Sequence, residues 1–351
     1  MLTKPSPSSP RVLFGSGLRH MVAEEVARLG CQHALVLSTP QQCDSAMAIA
    51  ETLGDKAAGI FARATMHTPV SVTDEAVAHL RDVNADCIIA IGGGSTTGLG
   101  KAIALRTGVP QIVIPTTYAG SEATPILGQT ENGVKNTLTD ERVQPEVILY
   151  DPELVTSLPT AMTVTSALNA IAHAAEALYA QNRTDHSDAL ALEGMQHFAD
   201  GLPAVLQNPT DAEAREKTLR GAYACGAVLG QVGMALHHKL CHTLGGSLNL
   251  PHADTHAIIL PHAIHYNARA VPDHLKPVTD IFGGTAPGLS LHAFATKMNA
   301  PLALQDLGVT EAQLDHAADL ATQKPYPNPA PITRDGIRHL LQAAWTGTAP
   351  T

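Results

Sequence analysis

The sequence predicts an α/β, Rossmann-like dinucleotide-binding domain over residues 1–155, followed by an all-α domain over residues 156–351. Three observations carry this. Short apolar runs alternate with helix-spaced segments from Arg11 to Tyr150, as in a parallel sheet covered on both faces. One of those runs leads straight into Gly92-Gly93-Gly94-Ser95. Beyond Pro159 the strand pattern stops and helical spacing remains. A chain of 351 residues is long enough for two full cores.

Arg11 to Phe14 reads as the first strand. Leu18 to Leu29 has helical spacing and is closed by Gly30. Ala34 to Leu37 is a buried strand ending at Ser38-Thr39-Pro40, and a helix follows to Leu53. Residues 57–61 form a third strand, Asp74 to Val83 a helix, Cys87 to Ile91 a fourth strand and Ile112 to Pro115 a fifth. Asn132-Gly133 signals a hairpin, and Val147 to Tyr150 is the last strand before Asp151-Pro152. Helices are expected over roughly 161–180, 186–206, 211–230, 234–244, 253–268, 289–299, 311–323 and 334–345.

Composition excludes some functions. The formal charge of −10 argues against a nucleic-acid surface or an anionic-membrane surface. The cysteines (Cys31, Cys43, Cys87, Cys225, Cys241) are scattered, odd in number and without a CxxC pair. That favours reduced thiols and a cytoplasmic location. No long apolar run or signal peptide is read, and MLTKPSPSSP reads as a polar leader.

Two stretches carry chemistry. Gly92, Gly93, Gly94 and Ser95 join a strand to a helix, where glycines let a phosphate approach the backbone and helix-start amides point at it. A tight turn alone would need fewer small residues. The pattern is neither GxGxxG nor a P-loop, so it points to phosphate, and to a dinucleotide above all. Thr116 and Thr117 follow the next strand, at the end where such sheets bind ligands.

The second stretch is Met234 to His265, which holds seven of the chain's eighteen histidines. His238 and His242 are four apart and share a helix face. Gly245-Gly246 is expected to end that helix, and His252 to open the returning one. Three converging imidazoles usually mean a metal or proton-transfer site. Taken singly, His237, His256 and His265 read as ordinary polar residues. Asn169 and His173 are also four apart, and become a further wall of the site only beside these histidines.

These residues resemble the iron-containing alcohol dehydrogenase family over about residues 11–346. The likeness rests on Gly92-Gly93-Gly94-Ser95 with Lys101, on Pro115-Thr116-Thr117, on the 160–180 helix and on the helix–Gly-Gly–Pro-His run. The resemblance implies a cofactor domain and a helical domain with the active site between them. The family's metal ligands, an Asp and a His four apart and two further histidines, fall on Asn169, His173, His238 and His252. His242 matches a non-ligand histidine near the nicotinamide. With Asn in place of Asp, the chain looks like a branch that reduces a carbon–carbon double bond without a metal. One departure from that branch is Ala330 after Asn328-Pro329, where Arg is common.

The resemblance implies reduction of maleylacetate, a small dicarboxylate, to 3-oxoadipate in aromatic-compound catabolism, by a homodimer. His238, Lys239 and His242 are the expected catalytic groups, with His173, His252 and Asn169 shaping the pocket and no metal. On the cofactor side Gly92, Gly93, Gly94 and Ser95 cradle the pyrophosphate. Ser38, Thr116 and Thr117 line the ribose and nicotinamide, and Lys135 is a weaker candidate. No carboxylate follows the second strand at Ser38 or Thr39, so NADPH is expected beside NADH. The alternatives are a metal-dependent alcohol or polyol dehydrogenase of the same fold and a metal-storage protein without catalysis.

Overall fold

A computed structural model describes residues 10–351, Lys135 by its backbone only; the leader at 1–9 lies outside the described residues. Contacts divide the chain into Met1–Ser157 and Leu158–Thr351.

The first unit contains β1 (Arg11–Phe14), α1 (Val22–Arg28), β2 (Ala34–Leu37), α2 (Cys43–Leu53), β3 (Ala57–Phe61), α3 (Val70–Asp82), β4 (Cys87–Gly92), α4 (Gly94–Thr107) and β5 (Gln111–Pro115). After these come β6 (Ile126–Glu131), β7 (Val134–Thr139) and β8 (Val147–Tyr150). Six strands form a parallel sheet in the order β1-β8-β5-β4-β2-β3, and β6 pairs with β7 in a separate antiparallel hairpin.

Alternate residues of the central strands serve opposite faces. Val36, Ile89, Ile91, Ile112 and Ile114 pack with Val22, Val26 and Ile49 on one face. Leu35, Leu37, Ile88, Ala90 and Val113 pack with Leu80, Leu99 and Ile103 on the other. Burial on both faces explains why these strands read as unbroken apolar runs. The chain leaves β2 for β3 on one side and β4 for β5 on the other. Strand order therefore reverses between β2 and β4, and parallel α/β sheets open a ligand crevice at the carboxyl ends of such a pair. Those ends are Leu37 and Gly92.

The second unit is helical: α5 (Thr160–Ala177), α6 (Asp185–Gln207), α7 (Ala212–Leu229), α8 (Leu236–Leu248), α9 (His252–Ala268), α10 (Pro272–Phe282), α11 (Pro287–Lys297), α12 (Glu311–Thr322) and α13 (Arg334–Thr346). Every residue of α5 from Ala167 to Ala177 is buried, and its alanines let α6, α7 and α9 pack closely around it. Leu236, Leu240 and Leu244 of α8 join Ile258 and Ile259 of α9, and α12 and α13, in one apolar core.

Two expectations are corrected. Gly245-Gly246 does not end α8, which continues to Leu248 and closes at Asn249 in the left-handed region (φ 54°, ψ 39°). Leu248 still packs against the apolar core, so burial carries the helix past its glycines. The unassigned stretch after Ala268 contains α10, whose Pro272 occupies the first turn, where a missing N–H costs nothing. Leu275 and Val278 anchor it although Pro277 interrupts the pattern.

Candidate active site

Gly92 ends β4 at φ 153°, a conformation side chains rarely adopt. A Cβ there would lie 2.5 Å from Thr96 Oγ1, and one on Gly93 would lie 2.9 Å from Thr117 Cγ2. The turn is thus pressed flat against the β5 exit and has no room for side chains. Gly93 O accepts from both Thr96 N and Thr97 N. The amides of Gly94 and Ser95, at the start of α4, have no intrahelical acceptor. Gly94 is exposed, and its own Cβ would meet only Ala119 at 3.8 Å. Exposed helix-start donors beside a glycine turn suit a phosphate. A dinucleotide therefore fits this half of the chain.

The surrounding loops are tied together. Thr116 N donates to Gly92 O at 3.0 Å, and Gln42 Nε2 donates to Thr116 Oγ1 at 2.8 Å. Gln42, missed in the sequence, follows β2 and reaches across to the β5 exit. Thr68 lies in the loop after β3 at φ 46°, a strained conformation for a β-branched residue. It packs so near Gly98 that a Cβ there would lie 2.4 Å from its hydroxyl.

Other expected residues fall into different places. Ser38 is fully buried and its hydroxyl donates to Thr39 O, so half-buried Thr39 is the more open residue after β2. Lys135 lies in β7, and its side chain is outside the described residues. Lys101 is a buried strut, donating to Thr124 O at 2.7 Å and Ile126 O at 2.8 Å. Burial pulls this ammonium down to about 7, with Glu122 opposing the shift.

In the helical unit, α5, α8 and α9 bring the histidines together. Four-residue spacing sets Asn169 and His173 on one face of α5, with Glu176 a further turn along. The ring centroids of His173 and His238 are 5.2 Å apart, those of His238 and His242 6.1 Å, and those of His252 and His256 4.2 Å. His256 lies 5.1 Å from His238. His173 and His238 are buried; His242 and His252 are exposed on this chain.

His237 and His256 are no ordinary polar residues: both are fully buried, and His237 Nε2 lies 3.0 Å from His256 Nδ1. Burial holds His173, His237 and His256 well below the ordinary histidine range, and neighbouring imidazoles add to this. Lys239 Nζ lies 5.8 Å from the centre of the Tyr326 ring.

Glu176 was missed in the sequence, although it stands three residues after His173. It is fully buried. Its Oε1 accepts from His237 N at 2.7 Å, and its Oε2 lies 2.6 Å from His238 Nδ1. The carboxylate can only accept, so Nδ1 carries the hydrogen and Nε2 is left as the lone-pair nitrogen of His238. His238 Nε2 and Asn169 Oδ1 are buried and without a hydrogen-bond partner among the described residues.

Those atoms, with His173 and His252, occupy the positions at which the resemblance places an iron site. Asn169, His173, His238 and His252 are all neutral donors. Glu176, the nearby carboxylate, is held by His237 and His238. Hard and borderline cations such as Fe²⁺ gain most from an anionic oxygen, so this donor set fits iron poorly.

Comparison with known proteins places residues 9–152 in a match to the iron-containing alcohol dehydrogenase family and residues 163–345 in a match to the C-terminal part of that family. A maleylacetate reductase from Rhizobium sp. (strain MTP-10005) is 56% identical over 340 residues, covering 97% of each chain. One from Sphingobium indicum is 49% identical over 344 residues, covering 98% of this chain and 97% of the other. The crystal structure of maleylacetate reductase from Agrobacterium tumefaciens superposes with a TM-score of 0.96 at 55% identity, covering all of both chains.

Proposed function

The chain belongs to the iron-containing alcohol dehydrogenase family, and from that premise we propose that it reduces the carbon–carbon double bond of maleylacetate, giving 3-oxoadipate. The observation that carries this is 56% identity, over 97% of the chain, to a protein named for that reaction. The imidazole–amide pocket supports it, because the conjugated ketone takes up the electron pair as an enolate and needs less polarisation by a metal than a simple ketone does.

A nicotinamide bound at Gly92 to Ser95, Thr116 and Thr117 would supply a hydride to the alkene carbon β to the ketone. Residues of the helical unit manage the charge that follows. The ketone oxygen becomes an enolate, and donors already in place stabilise such charge without reorganising. Glu176 fixes His238 with its hydrogen on Nδ1, so Nε2 presents a lone pair that can orient a neighbouring donor toward the enolate but does not itself donate to it. An imidazolium delivers the proton to the other alkene carbon and is left as neutral imidazole, and exposed His242, one turn from His238 and open to solvent for reprotonation, is the group we assign. Burial keeps His173 neutral, so it shapes the pocket rather than adding charge.

The reading includes use of both NADH and NADPH, independence from metal in turnover, and a homodimer in the cytoplasm. Five free cysteines support the compartment. The test is photometric: oxidation of NADH and of NADPH by maleylacetate, with 3-oxoadipate identified as product. Absence of that activity, together with iron-dependent reduction of NAD⁺ by simple alcohols, would replace this reading with the alcohol dehydrogenase one.

A further inference from the structure

His237 and Cys241 are four apart on α8 and share one face, and His256 of α9 packs against that face. All three are buried, at 0%, 2% and 0% exposure. His237 Nε2 lies 3.0 Å from His256 Nδ1 and 3.7 Å from Cys241 Sγ, and one donor atom from each of the three residues lies within 4.8 Å of the other two. The reduction proposed above does not use them. A tetrahedral ion with bonds of about 2.0–2.1 Å to nitrogen and about 2.3 Å to sulfur has N···N edges of about 3.3 Å and N···S edges of about 3.6 Å. The two separations in this structure lie close to those edges.

We propose that His237, Cys241 and His256 form a binding site for a borderline divalent cation, zinc in the first place, distinct from the Asn169, His173, His238 and His252 set. The donors are two imidazoles and a thiolate, the combination that suits zinc rather than magnesium or calcium. Three protein ligands leave one tetrahedral position for water. Proton balance is simple. In the metal-free state, one hydrogen lies between His237 Nε2 and His256 Nδ1, and Cys241 carries its own. On binding, both ring lone pairs and the thiolate face the ion. Each ring keeps one hydrogen on its other nitrogen, the thiol proton leaves to solvent, and no oxidation occurs. The ion would clamp α8 to α9 beside the catalytic imidazoles.

Cobalt(II) tests this on the full-length protein, because only a thiolate ligand gives a sulfur-to-cobalt charge-transfer band in the near ultraviolet. One equivalent of Co²⁺ should produce that band, and added Zn²⁺ should abolish it. Cys241→Ser should lose the band, whereas His173→Ala, which removes a ligand of the other set, should keep it. Absence of the band in the wild-type protein overturns the site, whether or not the serine variant folds. A band that survives Cys241→Ser, or disappears in folded His173→Ala, overturns it too.

Discussion

Glu176 Oε2 and His238 Nδ1 lie 2.6 Å apart, and both residues are buried. Helix α5 thereby decides which nitrogen of an α8 histidine carries the hydrogen. Glu176→Gln keeps the shape but can present an amide donor to Nδ1, which permits the wrong tautomer. Partners that orient a working histidine typically contribute about 10–100-fold. We expect kcat to fall by about that factor, with a smaller change in KM and little loss of secondary structure. A wild-type kcat in the folded variant would remove Glu176 from the positioning role.

Part of this site was legible and part was not. His238, His242 and His252 stand out because four-residue spacing and a returning turn agree, and α8 and α9 bring them together. His237 and His256 read as ordinary because their meaning depends on each other, across 19 positions of sequence. Glu176 is one carboxylate in an alanine-rich helix, and only burial and its partners distinguish it. The fold was more legible, since strand and helix periods are local. Its misses, the end of α8 and all of α10, lie where tertiary packing overrides glycine and proline signals.

Gly94 offers a clean test of the cofactor turn. Its Cβ has room, so Gly94→Val should fold normally while crowding the amides at the start of α4. We expect NADH affinity, read by fluorescence titration, to fall about tenfold or more. Unchanged affinity in a stable variant would move the phosphates elsewhere.

We expect cofactor choice to turn on the loop after β2. Ser38 is buried with its hydroxyl engaged, so half-buried Thr39 is the residue to change. In related folds a carboxylate near this point bonds the ribose 2′-hydroxyl and repels a 2′-phosphate. Thr39→Asp should depress kcat/KM for NADPH while sparing NADH. Equal losses for the two cofactors would place the 2′-position away from this loop.

Stability should depend on pH through the buried histidines. Burial, with help from His292 and His265, lowers His262 to about 3, and neither ring nitrogen has a hydrogen-bond partner among the described residues. The unfolded chain has an ordinary histidine near 6.5 and takes up protons that the native state refuses. The stabilising difference is therefore fully present above about pH 6.5 and is lost as pH falls toward the folded value. His173, His237 and His256 shift in the same direction and add to the effect. His262→Leu removes one of these groups without breaking a described hydrogen bond. It should raise Tm more at pH 5.5 than at pH 8; parallel Tm–pH curves would show that His262 does not contribute.

The remaining prediction concerns metal in the reaction itself. An ion among Asn169, His173, His238 and His252 would meet four neutral donors. Three imidazoles can hold zinc, so the histidines alone decide nothing. The residue that decides is Asn169, whose buried Oδ1 offers a carbonyl dipole where a carboxylate would bring full negative charge. Glu176 cannot substitute while it holds His238 Nδ1 and the His237 amide, and freeing it would release the ring it orients. Turnover should therefore proceed without metal in this set. Chelators should leave maleylacetate reduction intact, and added Fe²⁺ should not accelerate it. Asn169→Asp should raise Fe²⁺ affinity, measured by equilibrium dialysis, without making turnover depend on the ion. Loss of activity on chelation, restored by one specific cation, would show that the neutral donors suffice after all. The chemistry would then be that of the metal-dependent relatives.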